Sequence, residues 1–316
     1  MTGEFARIDR FFKPLARGFP GALGLANDGA VLAAPPGQEI VVTTDAMVAG
    51  IHFLADDPPA DIAAKLLRVN LSDLAAMGAA PLAYTLVTAI PASRDEAWLE
   101  AFAAALAADQ AAFGIHLCGG DSVRVEGPDV LTVAAYGLVP AGRSLPRSGA
   151  RPGDALYVSG TVGDAGLGYA CLQGGLQAPA EDRAALIGRL RRPTPRLALG
   201  RALVGLATAA LDVSDGLAAD AGHIAAESGV GLEIEAERLP LSPAARRALA
   251  ADPALLPRIV GFGDDYEICF TAPPGLGPEI AGTPIAEIGR VVAGSGVRIF
   301  RDGRPVALDR AGWTHF

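Results

Sequence analysis

The chain has 316 residues, 51% of them hydrophobic and 19% charged, with a formal net charge of −9. These values fit a folded protein whose length suggests two domains, and they exclude a disordered chain. The acidic balance argues against nucleic-acid or anionic-membrane partners, which need a basic face.

No apolar run approaches the ~20 residues of a membrane span. The N-terminus MTGEFARIDRFFKPL lacks the apolar core of a signal peptide, so the cytoplasm is the expected compartment. Cys118, Cys171 and Cys269 stand singly in apolar stretches without metal-ligand spacing, and are expected to be buried and reduced.

In chain order, Glu39–Asp45 reads as a β-branched strand and Ala60–Met77 as a helix. Leu82–Ile90 reads as a strand, Asp95–Phe113 as an Ala-rich helix and Val130–Val139 as a further strand. Ala141–Asp154 gathers Gly, Pro, Ser and Arg, which is loop chemistry and marks the expected boundary between domains 1–143 and 144–316. Beyond it come a strand at Ala155–Ser159 and helices at Asp164–Gln173 and Pro195–Leu206. A strand at Ala209–Val213 runs into a helix ending near Ser228. Short strands are expected at Glu267–Thr271, Ile285–Val292 and Val297–Phe300. The fold class is therefore α/β, two domains of sheets covered by helices.

Six aspartates recur in Gly-, Ser- or Thr-rich settings: Asp28, Asp45, Asp73, Asp121, Asp212 and Asp215. Together they resemble a cage for several Mg²⁺ ions, a hard cation that takes carboxylates, water and substrate phosphate. Such ions around ATP would neutralise a polyphosphate during its cleavage. Each site also has a local reading. Thr43-Thr44-Asp45 could cap or turn, Asp73 could sit on a solvated helical face, and Gly119-Gly120-Asp121-Ser122, after a short strand, could be a tight turn. Ser214 or Asp215 could cap a helix, which is compatible with a phosphate site because both use the same free amides. With only Lys13 and Lys65 in the chain, and neither after a Gly-rich loop, a P-loop is excluded. The partial GxGxxG at Gly166 and Gly168 has Cys171 where the third glycine belongs, and the histidines His52, His116, His223 and His315 are scattered. No Ser, His or Asp has the partners of a covalent nucleophile.

The run of NLSDLAAMGA, the GGD segment, RSGARPGD, LDVSDGL and DDYE resembles the thiamine-monophosphate kinase family, of the superfamily that includes aminoimidazole ribonucleotide synthetase and selenophosphate synthetase. The resemblance implies mixed-sheet α/β domains. It implies that the first domain binds ATP and Mg²⁺ and forms a barrel in a homodimer, and that the second completes the nucleotide and substrate site. It implies direct transfer of the ATP γ-phosphate to thiamine monophosphate, giving thiamine diphosphate. It implies metal ligation by Asp28, Thr43, Thr44, Asp45, Asp73, Asp121, Asp212 and Asp215, and ATP contacts from Gly120, Asp121, Arg147 and Ser214. His52, Asp264 and Trp313 match substrate-contacting positions. The chain departs from the family pattern at Ala26, Asn27, Ser122-Val123 and Asp264, where the family usually carries Glu. A superfamily member with another acceptor, or a Mg²⁺-nucleotide-binding protein without turnover, are the alternatives. The first cysteine is Cys118, which disfavours a selenophosphate synthetase.

Overall fold

Alternating burial along Gln38–Val48 builds the first strand, β1: Val41 and Met47 are buried, while Val42, Thr44 and Ala46 are exposed. The chain divides into two compact units, residues 1–74 with 79–142 and residues 143–316 with 75–78. The computed structural model describes residues 4–308 together with Gly312 and Trp313, the side chains of Glu4 and Phe5 excepted.

The first unit opens with α1 (Glu4–Arg7), which widens into a π-helical turn over Ile8–Phe12 and then tightens into a 3-10 turn over Lys13–Ala16. After β1 come α2 (Pro59–Ala76), β2 (Ala80–Ile90), α3 (Glu96–Phe113), β3 (His116–Arg124) and β4 (Val130–Pro140). Asp95 caps α3 by accepting from the Trp98 amide at 2.8 Å, and Gly114, at φ 68°, closes its C-terminus. The four strands lie in the order β1-β4-β2-β3, antiparallel except for the β2–β3 pair, so β1 and β3 are opposite edges.

Both helices reach the buried face of this sheet. Gln110 of α3 donates to the Tyr84 hydroxyl of β2, and Thr43 of β1 meets Asp73 of α2. The two helices are clamped by a bidentate pair, Arg68 to Asp109, at 2.8 Å for each bond. The GGDS segment, expected after a strand, lies inside β3 instead. A Cβ on Gly120 would come within 1.9 Å of the Leu86 carbonyl oxygen. The glycine therefore permits a close approach of β3 to β2.

The second unit contains β5 (Ala155–Ser159), α4 (Asp164–Leu172), α5 (Ala180–Arg191), α6 (Leu197–Leu203), β6 (Ala209–Asp212), α7 (Leu217–Ser228), β7 (Gly231–Glu235), α8 (Pro243–Ala251), α9 (Leu256–Gly261), β8 (Ile268–Ala272), β9 (Glu279–Ile280), β10 (Thr283–Val292), β11 (Gly296–Arg301) and β12 (Arg304–Pro305). The sheet order is β12-β11-β7-β10-β5-β8-β6, with only the β7–β11 pair parallel. Its central strands β5 and β8 are buried along their whole length because both faces are covered. Leu156, Val158 and Leu211 join one apolar core with Leu167 and Ile224, and Tyr157, Ala210 and Phe270 join another with Leu199 and Leu203.

The helix expected over Pro195–Leu206 is shorter, ending before Gly205, whose φ of 82° is left-handed. The sequence reading leaves out α5, β7, α8 and α9, and the short α1, β9 and β12. Among the described residues no helix is long and apolar enough to cross a membrane, and all three cysteines are free and buried.

Removing Asp109 would take the bidentate acceptor from the Arg68 guanidinium, which is only 20% exposed. Asp109→Ala is expected to lower unfolding free energy by about 2 kcal/mol, less than for a fully buried pair because Arg68 keeps some water. The shift in urea midpoint between the wild-type chain and this variant measures it.

Candidate functional site

Strand β6 is apolar up to Asp212, which is 5% exposed at its C-terminal end. Val213, Ser214 and Asp215 then turn the chain into α7, and Gly216, at φ 125°, occupies the cap position. Neither Ser214 nor Asp215 caps the helix by a side chain, contrary to the sequence expectation. The amides of Asp215 and Gly216 instead both donate to Oδ2 of Asp220, each at 3.0 Å. Successive amides in such a turn form an anion-binding hollow, and here the anion is the protein's own carboxylate.

Asp215, Asp220 and His223 each present a ligand atom within 4.8 Å of the others, a group able to hold a cation. Burial, reinforced by the neighbouring Asp215 carboxylate, pushes the Asp220 carboxyl up to about 7. The sequence reading missed Asp220 and His223. Their only signal is spacing, since Asp220 follows Gly216 by one helical turn and His223 lies on the next turn of the same face.

The segment Gly263–Glu267 is bonded to this turn along its length. The Asp264 amide donates to the Ser214 carbonyl at 2.8 Å, Tyr266 to Val213 at 2.8 Å, and Val213 returns a bond to Glu267 at 2.8 Å. A Cβ on Gly263 would lie 2.2 Å from the Ser214 oxygen, so only glycine permits that approach. Asp264 and Tyr266 have positive φ, 61° and 50°, a strained state for non-glycine residues that tertiary bonds must enforce.

Two buried acids enforce it. Asp265 accepts from the Gly163 amide at 2.7 Å at the start of α4, and its complete burial holds its carboxyl well above the usual range. Glu267 is fully buried between Arg189 and Arg196, with Ser159 donating to it at 2.6 Å. The sequence-predicted Asp264 is thereby held half-buried beside Ser214. The Trp313 amide donates to the Asp215 carbonyl at 2.9 Å, and its side chain is 49% exposed. Arg147 is exposed in a loop whose Pro146 carbonyl accepts from Ala210 of β6.

In the first unit, Thr43, Asp45 and Asp73 share one side of the sheet, where the Thr43 hydroxyl donates to Asp73 at 2.5 Å. Asp45 lies within β1, not at its end. Thr44 points to the other face and donates to the Val133 carbonyl at 3.0 Å. Asp121 is paired in register with the exposed Val87, on that same outer face and on the opposite edge strand. The unit therefore brings Thr43, Asp45 and Asp73 together and leaves Asp121 apart from them. Asp28 is exposed in the bend Asn27–Gly29. Nδ1 of His52 accepts from the Val48 amide at 3.0 Å, which places the neutral ring's proton on Nε2.

Two family models match: the N-terminal domain of AIR synthase related proteins over residues 26–139, and the C-terminal domain over 151–302. Thiamine-monophosphate kinase of Caulobacter vibrioides is 44% identical over 321 residues, covering 99% of this chain and 90% of the relative. The chain belongs to the thiamine-monophosphate kinase family. A crystal structure of thiamine-monophosphate kinase from Stenotrophomonas maltophilia K279a is similar with a TM-score of 0.84 and 42% identity, covering 96% of this chain and 98% of that one. A structure described as AaThiL complexed with AMPPCP and TMP is similar with a TM-score of 0.80 and 32% identity, covering 99% and 97%. Relative to the two family models, Asp28 through Asp121 fall in the first and Asp212 through Asp264 in the second, while Trp313 lies beyond both.

The raised Asp220 carboxyl has a consequence for stability. A folded-state value near 7 against 3.8 unfolded means that the contribution is fully present below about pH 4 and is lost as pH rises through 7. The loss amounts to about 4 kcal/mol at most. In chelator, the urea midpoint of the wild-type chain is expected to fall more steeply between pH 5 and 8 than that of Asp220→Asn.

Proposed function

We propose that this chain transfers the γ-phosphoryl group of ATP directly to thiamine monophosphate, giving thiamine diphosphate. The observation that carries the reading is full-length similarity to the structure described as AaThiL complexed with AMPPCP and TMP, at 32% identity with 99% of this chain covered. The catalytic demand of such a reaction is alignment and charge neutralisation, with little covalent chemistry for the protein to do.

The residues fit Mg²⁺ as the cofactor. Asp45 and Asp73 share one face of the first unit, Asp212 and Asp215 flank the turn after β6, and these donors are hard oxygens. Mg²⁺ held there would neutralise the polyphosphate. Asp28, Thr43, Thr44 and Asp121 complete the proposed ligand set, Thr44 and Asp121 from the opposite face of the sheet to Asp45 and Asp73. Gly120 and Ser214 would contact ATP. Arg147, exposed and always charged, would offer a forked donor to its phosphates. His52 would donate from Nε2, and Asp264, fixed by the Ser214 carbonyl, would accept from the acceptor. The exposed Trp313 ring would stack on the acceptor's aromatic system, with a further gain from its cationic thiazolium.

Turnover assayed with ATP and thiamine monophosphate tests the reading and separates it from an inactive nucleotide binder, which Ala26, Asn27 and the shorter Asp264 would suit. Formation of thiamine diphosphate is expected, with loss in excess chelator. Asp73→Asn is expected to remove most turnover with little change in apo melting temperature. Unchanged turnover in that variant would remove Asp73 from the site.

A homodimer in the cytoplasm goes with this reading. The outer face of the first sheet leaves Val42, Val87 and Val123 exposed by 60%, 38% and 43%, an apolar surface that a second copy would cover. Asp121 shares that face. Light scattering is expected to give a dimer at micromolar concentration and a monomer for Val42→Asp. A fully active wild-type monomer would end the dimer proposal.

A further inference from the structure

Asp220 is 3% exposed, one turn into α7, and belongs to none of the ligand or substrate positions that the family resemblance implies. Its carboxylate gathers the amides of Asp215 and Gly216 at 3.0 Å each. The turn's amides thus face Asp220, and its carbonyls face outward to other segments. Val213 receives Tyr266, Ser214 receives Asp264, and Asp215 receives Trp313.

Two of these contacts work only through glycine. A Cβ on Gly263 would stand 2.2 Å from the Ser214 oxygen, and one on Gly312 would stand 2.6 Å from the Asp215 oxygen. One buried carboxylate therefore orients a turn on which Asp215, Asp264 and Trp313 hang. Without it, two amides would lose their acceptor and the turn its single conformation.

We propose that Asp220 is a positioning residue that sets the Asp215 carboxylate, Asp264 and Trp313 together through the Ser214–Gly216 turn. This rests on the proposed roles of Asp215 in holding Mg²⁺ and of Trp313 in holding the acceptor. An oxygen acceptor at position 220 is what the turn needs, and a negative charge there is not. Groups that act through a ligand's orientation in this way typically change metal affinity or activity by about ten- to a hundredfold.

The test compares Asp220→Ala and Asp220→Asn in the full chain, reading KM for thiamine monophosphate, the Mg²⁺ concentration for half-maximal activity, and kcat. Asp220→Ala is expected to raise both the acceptor KM and the Mg²⁺ requirement by about tenfold or more. Asp220→Asn, whose side-chain oxygen still accepts, is expected to restore both. A lower melting temperature in Asp220→Ala with both constants unchanged would make Asp220 a core filler and overturn the proposal. An equal rise of the Mg²⁺ requirement in Asp220→Asn would make it a direct ligand and overturn the proposal too. Where Asp220→Ala folds poorly, Asp220→Ser takes the same readouts.

Gly312→Ala reads the outer link without touching the core, and is expected to raise the acceptor KM with the Mg²⁺ requirement unchanged. An unmoved acceptor KM there, while Trp313→Ala raises it, would overturn the coupling alone. If Asp215→Asn and Trp313→Ala leave their own constants unmoved, the underlying reading of the site falls first.

Discussion

The fully buried Glu267 carboxylate anchors the segments around the second unit's candidate site. Glu267 lies between the guanidinium groups of Arg189 and Arg196, with the Ser159 hydroxyl donating to it. Its backbone carbonyl takes the Val213 amide at 2.8 Å. One residue thereby joins α5, the segment before α6, strand β5 and the turn after β6. Removing such a charge from water costs several kcal/mol, and the attraction to one partner alone would not offset it. Two guanidinium groups and a hydroxyl together satisfy its oxygens, so the arrangement is tolerated only when every member is in place.

That rigidity explains the strained backbone beside it. Asp264 and Tyr266 at φ 61° and 50° are conformations an L-residue avoids by itself. Asp265, between them, is drawn into the start of α4 by the Gly163 amide. With Asp265 and Glu267 fixed inward, Asp264 and Tyr266 are turned the other way, and their amides close onto the Ser214 and Val213 carbonyls. The strain is the cost of presenting Asp264 at a fixed place, which suits the acceptor contact proposed for it.

The first unit uses a different device. Strand parity decides which side chains meet: Thr43 and Asp45 stand on the helix-covered face with Asp73, and Thr44 and Asp121 stand on the other. A shift of one residue in register would exchange the two sets. The buried run of Val41, Met47, Leu86 and Val133 excludes that shift, because it would move the core into water. The register that builds the core therefore also sorts the acids.

Much of this was legible in the sequence. The apolar alternation of β1 and β4, the Ala-rich α3 with Asp95 at its start, and the strand-to-helix passage at Asp212–Gly216 are local signals, written in neighbouring residues. The order of acidic motifs was specific enough to indicate the family. What the sequence could not state is anything that depends on residues far apart in the chain. The GGDS segment looks like a loop by composition, yet pairing with β2 makes it strand. Asp220 looks like a solvated helical acid until the turn folds back over it. Arg189, Arg196 and Glu267 are ordinary surface charges by type, and only their meeting across 71 to 78 positions of sequence makes them a buried network. Local pattern specifies the elements because each is stabilised by its own neighbours. The site's geometry is set by contacts between elements, which the sequence pattern does not record.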